Sequence, residues 1–364
     1  MKNSYQVFPN ASQAFILKML LDRNSVLETF EQWRVIAGNQ DSWDSATLRL
    51  IPILYSRLQS WGVPSKELLF LKNVYQMHWM LSQRSLIHAK QIISFFNIHS
   101  ITSLVAKGLP LAVNYYEKPF HRPIGDVDIL IHREDVKKTY ELLRSNGWVC
   151  IDDGGGKKSL STLLAGANSL TFNHELFGKL DLHWKLFHDC AKKNVNDQLW
   201  NRAIDFSWEG ESCLRLSNED MLIHTLLHGM RGSAESSIRW IMDAAMIIQK
   251  DGALLDWNYI VGFTQENQVT LRILWALEYL RIQYDLGAPI WVLSALKKIH
   301  IDAFERWEAR VLLSDPKLFS AGVGRLERRY LRLWQLWRRS DKQDMIVAIL
   351  AKILPASLFK KYEF

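Results

Sequence analysis

Cysteine is scarce in this chain and follows no pattern. Three in 364 residues, Cys150, Cys190 and Cys213, show no C-x-x-C spacing. That excludes a disulfide framework and a zinc ribbon, and it suits a reducing compartment. Proline and glycine are also few, 9 and 18, so a collagen-like repeat and a Pro/Gly-rich disordered chain are excluded. No stretch reaches the 18 or so uncharged apolar residues of a transmembrane helix. The best, residues 345–359, is interrupted by Lys352 and Pro355. The first residues lack the basic-then-apolar run of a signal peptide. A fixed-period repeat and a low-complexity tract are missing as well. These absences together lead to the expectation of a soluble, cytoplasmic protein.

The residues that are present have a globular balance: 48% hydrophobic and 23% charged. At the usual length per domain, the chain holds about two. The net charge of +7 is concentrated. Arg325, Arg328, Arg329, Arg332, Arg338 and Arg339 stand against Glu327 alone, in an amphipathic basic helix expected over 325–339. Its apolar residues suit packing and its arginines a solvated face. A nucleic acid or an anionic membrane surface is the less favoured reading of that face.

Periodicity divides the chain into three. Residues 1–97 read as an N-terminal helical region: Leu48, Ile51, Leu54, Tyr55 and Leu58 recur at helical spacing, and a long helix is expected over 67–96. Residues 98–190 read as a small α/β unit. Its strands are expected at 98–108, at the alternating run 126–132 with one face to solvent, and over 170–186 in two strands joined through Gly178. A helix between them ends at Gly147, and the segment 152–159, with three consecutive glycines, reads as the most flexible of the chain. Residues 191–364 read as a C-terminal helical region, with helices over 238–249, 269–284, 289–300 and 326–337. The expected class is α+β, mostly helical, with one small sheet.

Chemistry gathers on the strands. Asp126 and Asp128 are two apart, so a strand puts both carboxylates on one face. Adjacent ionised acids repel, and a hard divalent cation, Mg²⁺ or Mn²⁺, is their natural partner. Asp181 lies between Leu180 and Leu182 on a later strand, and His183 shares its face in regular period two. Three carboxylates on neighbouring strands suit the two-metal clamp of phosphoryl displacement. Lys107-Gly108 closes a buried strand, where a lysine charge and a close backbone approach suit a triphosphate. Arg122 offers a guanidinium fork for phosphate oxygens or a structural partner for the strand acids. His224 and His228, four apart on a helix, lack the glutamate of an H-E-x-x-H site and read as packing residues.

The ordered set Lys107-Gly108, Tyr116, Arg122, Gly125-Asp126-Val127-Asp128-Ile129-Leu130, Gly147-Trp148 and Asp181-Leu182-His183-Trp184 resembles the bacterial uncharacterised nucleotidyltransferase family. That family belongs to the DNA polymerase β-like superfamily. The segment from His224 to Asp243, with His228, Arg239 and Trp240, resembles its downstream helices, so the likeness spans roughly residues 45–250. Leu109 after Gly108, and the 17 residues between Gly108 and Asp126, depart from the superfamily's usual glycine turn and spacing.

The resemblance implies a polymerase-β-like mixed sheet between helical regions. It implies metal-dependent transfer of a nucleoside monophosphate from an NTP, ATP before the others, with release of pyrophosphate. Asp126, Asp128 and Asp181 would be catalytic and metal-binding, with Lys107, Gly108, Arg122 and His183 toward the nucleotide. The acceptor expected is a hydroxyl or phosphate of a sugar, small metabolite or peptide natural product. The alternatives are a toxin-like transferase acting on tRNA or protein, and a catalytically degenerate nucleotide-binding scaffold.

Overall fold

A computed structural model of the chain describes residues 7–22, 26–38, 43–156, 159–187, 189–190, 194–232, 238–314, 326–327, 330–331 and 334–335. Among them, helices outnumber strands. In chain order they are α1 (Ala11–Leu21), α2 (Val26–Ala37), α3 (Ser45–Leu48), α4 (Ile51–Ser60), α5 (Leu69–Ile98), α6 (Gly108–Tyr115), α7 (Val136–Ser145) and α8 (Leu160–Gly166). After them come α9 (Val195–Arg202), α10 (Asn218–Gly229), α11 (Arg239–Asp251), α12 (Trp257–Asn267), α13 (Thr270–Tyr284), α14 (Ile290–Lys298) and α15 (Ala303–Leu313). The strands are β1 (Leu104–Ala106), β2 (Val127–Leu130), β3 (Val149–Cys150), β4 (Ser169–His174), β5 (Gly178–His183), β6 (Ile204–Trp208) and β7 (Glu211–Arg215). The fold is α+β, mostly helical, as the sequence led one to expect. Among the described residues no helix is long and apolar enough to cross a membrane.

The chain forms two compact units. One comprises the described residues of Met1–Arg84, Leu111–Ile124 and Asn218–Glu327; the other those of Ser85–Pro110, Gly125–Ser217 and Arg328–Phe364. The three consecutive regions expected from the sequence divide the chain by order, whereas these units gather segments that are far apart along it.

The first unit is helical, and its helix starts are written in the sequence. Asn10 accepts from Gln13 N at 2.9 Å while the Gln13 side chain accepts from Asn10 N at 3.0 Å, a reciprocal capping box at α1. Asp302 accepts from Glu305 N at 2.7 Å and caps the start of α15 from one side. The core is built where apolar residues recur at helical spacing: α13 buries Ile273, Leu274, Ala276, Leu277 and Leu280 and packs on α10, α12, α14 and α15.

The second unit is built on one seven-stranded mixed sheet, in the order β3-β4-β5-β2-β1-β7-β6. β2 lies at its centre, antiparallel to β1 and parallel to β5. That position corrects the expectation of a strand with one solvent face. Val127, Asp128, Ile129 and Leu130 are all buried, because strands flank β2 on both edges and both its faces are covered. The sheet also reaches past residue 190. β6 and β7 pair antiparallel across Glu209-Gly210, where helices alone were expected. Both residues have positive φ, 49° and 85°, the backbone of a two-residue hairpin turn.

Two glycines matter for the frame of the site. Gly147 (φ +85°) ends α7, as its position suggested. Gly178 (φ +73°) closes the turn between β4 and β5, and a Cβ there would lie 2.2 Å from His88 Nδ1, so any other residue would strain the backbone and displace that imidazole. In the described part of the glycine-rich segment, a turn, Asp153 accepts from Gly155 N at 2.9 Å and Gly156 N at 3.0 Å. The basic helix expected over 325–339 lies largely outside the described residues, all six of its arginines included.

Candidate active site

Register alone brings the strand acids together. Asp128 on β2 is the lateral partner of Asp181 on β5, and lateral partners in a sheet share a face. Asp126 and His183 stand two residues along from them on the same face. β1 runs antiparallel on the other edge of β2, with Ala106 opposite Asp128. The next residue, Lys107, therefore turns in at the level of the acids.

Asp128 is 5% exposed and carries the centre of the site. Lys107 Nζ donates to its Oδ1 at 2.5 Å, and His183 Nε2 lies 3.0 Å from the same oxygen. His183 Nε2 is also 3.4 Å from Lys107 Nζ. Burial works against the Asp128 charge, but the Lys107 ammonium and His183 outweigh it and hold the carboxyl far below the ordinary carboxylate range. For Lys107 burial again opposes charge, and the carboxylates of Asp128, Asp126 and Asp181 win, raising its pKa. The pair is thus an ammonium and a carboxylate throughout the neutral range.

Asp181 has the opposite character. Burial, then the charges of Asp128 and Asp126, push its carboxyl above the usual range. Thr171, its antiparallel partner on β4, supplies one hydrogen bond. Its Oδ1, however, is buried with no hydrogen-bond partner. A buried carboxylate oxygen left bare costs about 1–3 kcal/mol or more, so it needs an explanation.

A bound cation would supply one. Donor atoms of Asp128, Asp181 and His183 all lie within 4.8 Å of one another. A divalent ion held at about 2.0–2.4 Å from each ligand requires donors at most about twice that far apart. Two carboxylate oxygens and an imidazole nitrogen suit Mn²⁺, and Mg²⁺ through the oxygens. The residues present fit a metal.

The other residues singled out from the sequence fall in different places. Asp126 stands at the rim, partly exposed, with Lys179 Nζ 3.4 Å from its Oδ2. Gly108 is buried and is the first residue of α6. Leu109 is 1% exposed, so its side chain belongs to the core and leaves the turn itself to Lys107 and Gly108. Lys107 has φ +52°, a left-handed backbone that costs a residue with a Cβ on the order of 1–3 kcal/mol. Arg122 lies in the helical unit and not among the strand acids. Its Nε donates to Asp243 Oδ1 at 2.7 Å and its Nη2 to Asp243 Oδ2 at 2.9 Å, with both side chains buried. Tyr116 donates to Asp243 Oδ1 at 2.7 Å, and Arg239 to the Pro123 carbonyl at 2.8 Å. The resemblance had pointed to all four residues; the fold ties them together across more than a hundred positions of chain.

Sequence reasoning missed Lys179 and Thr171. Lys179, Asp181 and His183 alternate along β5 and so share a face, a signal that period two contains. Thr171 required the hairpin register about Gly178.

Comparison with known families gives the class first: an enzyme that transfers nucleotidyl groups. The chain belongs to the uncharacterised nucleotidyltransferase family, whose sequence profile matches residues 45–284. No curated protein sequence matches it. Among solved structures, the crystal structure of the lincosamide antibiotic adenylyltransferase LnuA, lincomycin-bound, is similar at a TM-score of 0.31 and 16% identity, over 44% of this chain and 94% of that one.

Proposed function

We propose that this nucleotidyltransferase moves a nucleoside monophosphate from an NTP, ATP first among them, to a hydroxyl or phosphate of a small acceptor. A sugar, a small metabolite or a peptide natural product fits that description. The acceptor oxygen bonds to the α-phosphorus, the bond to the departing pyrophosphate breaks, and the acceptor proton leaves to a base of the enzyme. The observation that carries this reading is the bare Asp181 Oδ1 beside Asp128 and His183, on the unit that bears the family's strand acids.

In this reading Asp126, Asp128 and Asp181 are the catalytic and metal-holding carboxylates, with His183 as a nitrogen donor beside them. Bound there, Mg²⁺ or Mn²⁺ would supply charge stabilisation for the phosphoryl oxygens. Asp181, on the strand beside Asp128, is the carboxylate assigned to help accept the proton of the acceptor. Lys107 and the backbone at Gly108 face the triphosphate at the start of α6. Positioning and electrostatics supply the rate, since phosphoryl-type transfer needs little covalent help.

Calorimetric titration with ATP, GTP, CTP and UTP, each with and without Mg²⁺, tests this on the intact chain and on Asp128→Ala. Metal-dependent binding of one nucleotide, lost in the variant, is the expected result. Binding that ignores both the metal and the substitution would overturn it.

A further inference from the structure

Where Asp128 and His183 converge, the structure already has a cation. Lys107 Nζ sits 2.5 Å from Asp128 Oδ1 and 3.4 Å from His183 Nε2. It thus stands against two of the three groups that bring their donor atoms within 4.8 Å of one another. Asp181 is the third, and its Oδ1 is the atom left bare. The ammonium bonds Asp128 Oδ1 and approaches His183 Nε2, but makes no bond to Asp181 Oδ1, so one of the three ligand groups keeps an unsatisfied atom.

The ammonium is also held there against resistance. Lys107 has a left-handed backbone (φ +52°), unfavourable for a residue with a Cβ, between the end of β1 and the first residue of α6. Its side chain is 23% exposed, so the residue lies at the edge of the site and not wholly in the sealed core. A divalent ion and this ammonium cannot share Asp128 Oδ1 cheaply, because like charges repel strongly where water is scarce. Lysine, a single charge on a flexible stem, can vacate the position by rotating; an arginine fork would be harder to displace.

We infer that Lys107 is an internal counter-ion that closes the metal site of the nucleotide-free enzyme, and that it exchanges Asp128 for the triphosphate once a divalent cation takes its place. The inference rests on the reading that Asp128, Asp181 and His183 hold a metal. Before a metal binds, Lys107 and Lys179 offset part of the charge of Asp126, Asp128 and Asp181. On exchange, Lys107 moves its charge to a ligand that brings several negative charges of its own. Metal alone then binds weakly, and metal and nucleotide each favour the other, a coupling that is reciprocal by linkage.

The test uses Mn²⁺ alone as probe, with free Mn²⁺ counted by electron paramagnetic resonance on the full-length protein without nucleotide. Lys107→Met keeps the length of the side chain and removes the competing charge, so it should bind Mn²⁺ about tenfold more tightly than the unsubstituted protein, with a coupling in the usual range. Mn²⁺ binding no tighter in Lys107→Met overturns the inference. A second measurement needs no variant: the reactivity of the Lys107 amine toward an acetylating reagent, read by mass spectrometry. It should rise several-fold when Mn²⁺ is added, and an unchanged reactivity overturns the exchange even if Lys107→Met fails to fold. Mn²⁺ binding that Asp181→Asn removes upholds the metal reading whatever Lys107 does. No Mn²⁺ binding by either protein overturns the metal reading and the exchange together.

Discussion

Two buried aspartates, one in each unit, answer the same problem in opposite ways. Asp243 in the helical unit meets a guanidinium fork, a phenol and nothing unfinished. Its Oδ1 accepts from Arg122 Nε and Tyr116 Oη and its Oδ2 from Arg122 Nη2, at 2.7–2.9 Å. Burial opposes its charge, but Arg122 outweighs burial and holds its pKa down. Asp128 in the sheet unit meets a flexible lysine on a strained backbone, beside a second carboxylate with a bare oxygen. A satisfied network rigidifies a fold, whereas a half-satisfied one costs stability and is retained where it serves chemistry. Both clusters contain the residue types of a phosphate site. Satisfaction, not composition, separates the closed cluster at Asp243 from the one proposed to be catalytic.

The contrast can be broken most severely at Asp181. Asp181→Asn keeps the shape and removes the charge, so nucleotidyl transfer should fall by about 10³-fold or more, the scale of losing a principal electrostatic group. Pyrophosphate release with the nucleotide identified by calorimetry measures it. Near-normal release would show that the bare oxygen is not part of the chemistry.

At Asp243 the expected loss is of stability. Asp243→Ala leaves Arg122 and Tyr116 buried without their acceptor, and breaking a buried pair from one side costs about 3–5 kcal/mol. Urea denaturation of the variant checks this. Arg122→Met combined with Asp243→Leu should recover much of that loss, since removing both charges avoids the stranded partner. A mild effect of Asp243→Ala would mean that the two clusters do not differ in kind.

Asp181→Asn should also make the protein more stable, by about 1 kcal/mol near pH 7, as relief of a strained functional group commonly does. The sign follows from the raised pKa. A carboxyl that titrates higher in the folded state holds its proton more tightly there, so its ionised form weakens the fold above that pKa. The gain should therefore shrink as pH falls through the raised value and the native carboxyl becomes neutral. Asp128 behaves the other way: its depressed pKa gives stability that is present above the ordinary carboxylate value and is lost only as pH falls toward the folded one. Melting temperatures of the two proteins from pH 4 to 8 separate these slopes. An Asp181→Asn variant that melts lower at every pH would contradict the reading of the bare oxygen as a cost.

The acids of the site were legible because strand period is insensitive to context. Asp126 and Asp128 share a face wherever they are placed on a strand, and so do Lys179, Asp181 and His183. Burial of β2 was not legible. Alternating acid and apolar residues describe a half-exposed strand, and only the position of β2 between β1 and β5 makes it central. The hairpin of β6 and β7 had a local signal in Glu209-Gly210, but the surrounding residues are not strongly alternating and their burial is mixed. Arg122 was read toward phosphate or as a structural partner of the strand acids because its distance in sequence from Asp126 is short. Its partner Asp243 lies 121 residues away, a tertiary contact that local pattern cannot contain.

The smallest effect is expected at the rim, and it sharpens the comparison by its size. Lys179 and Asp126 approach to 3.4 Å with side chains 44% and 38% exposed. Water screens such a pair, and ordering a long lysine side chain offsets most of the attraction. Lys179→Ala should shift stability by no more than about 0.5 kcal/mol in the denaturation assay that reads Asp243→Ala. The ion pairs then rank by solvent access: Arg122 with Asp243 structural, Lys107 with Asp128 poised, Lys179 with Asp126 nearly neutral. If Lys179→Ala destabilised the fold as much as Asp243→Ala, exposure would not be the variable that sorts them. The separation of a static buried pair from an exchangeable one would then lose its physical basis.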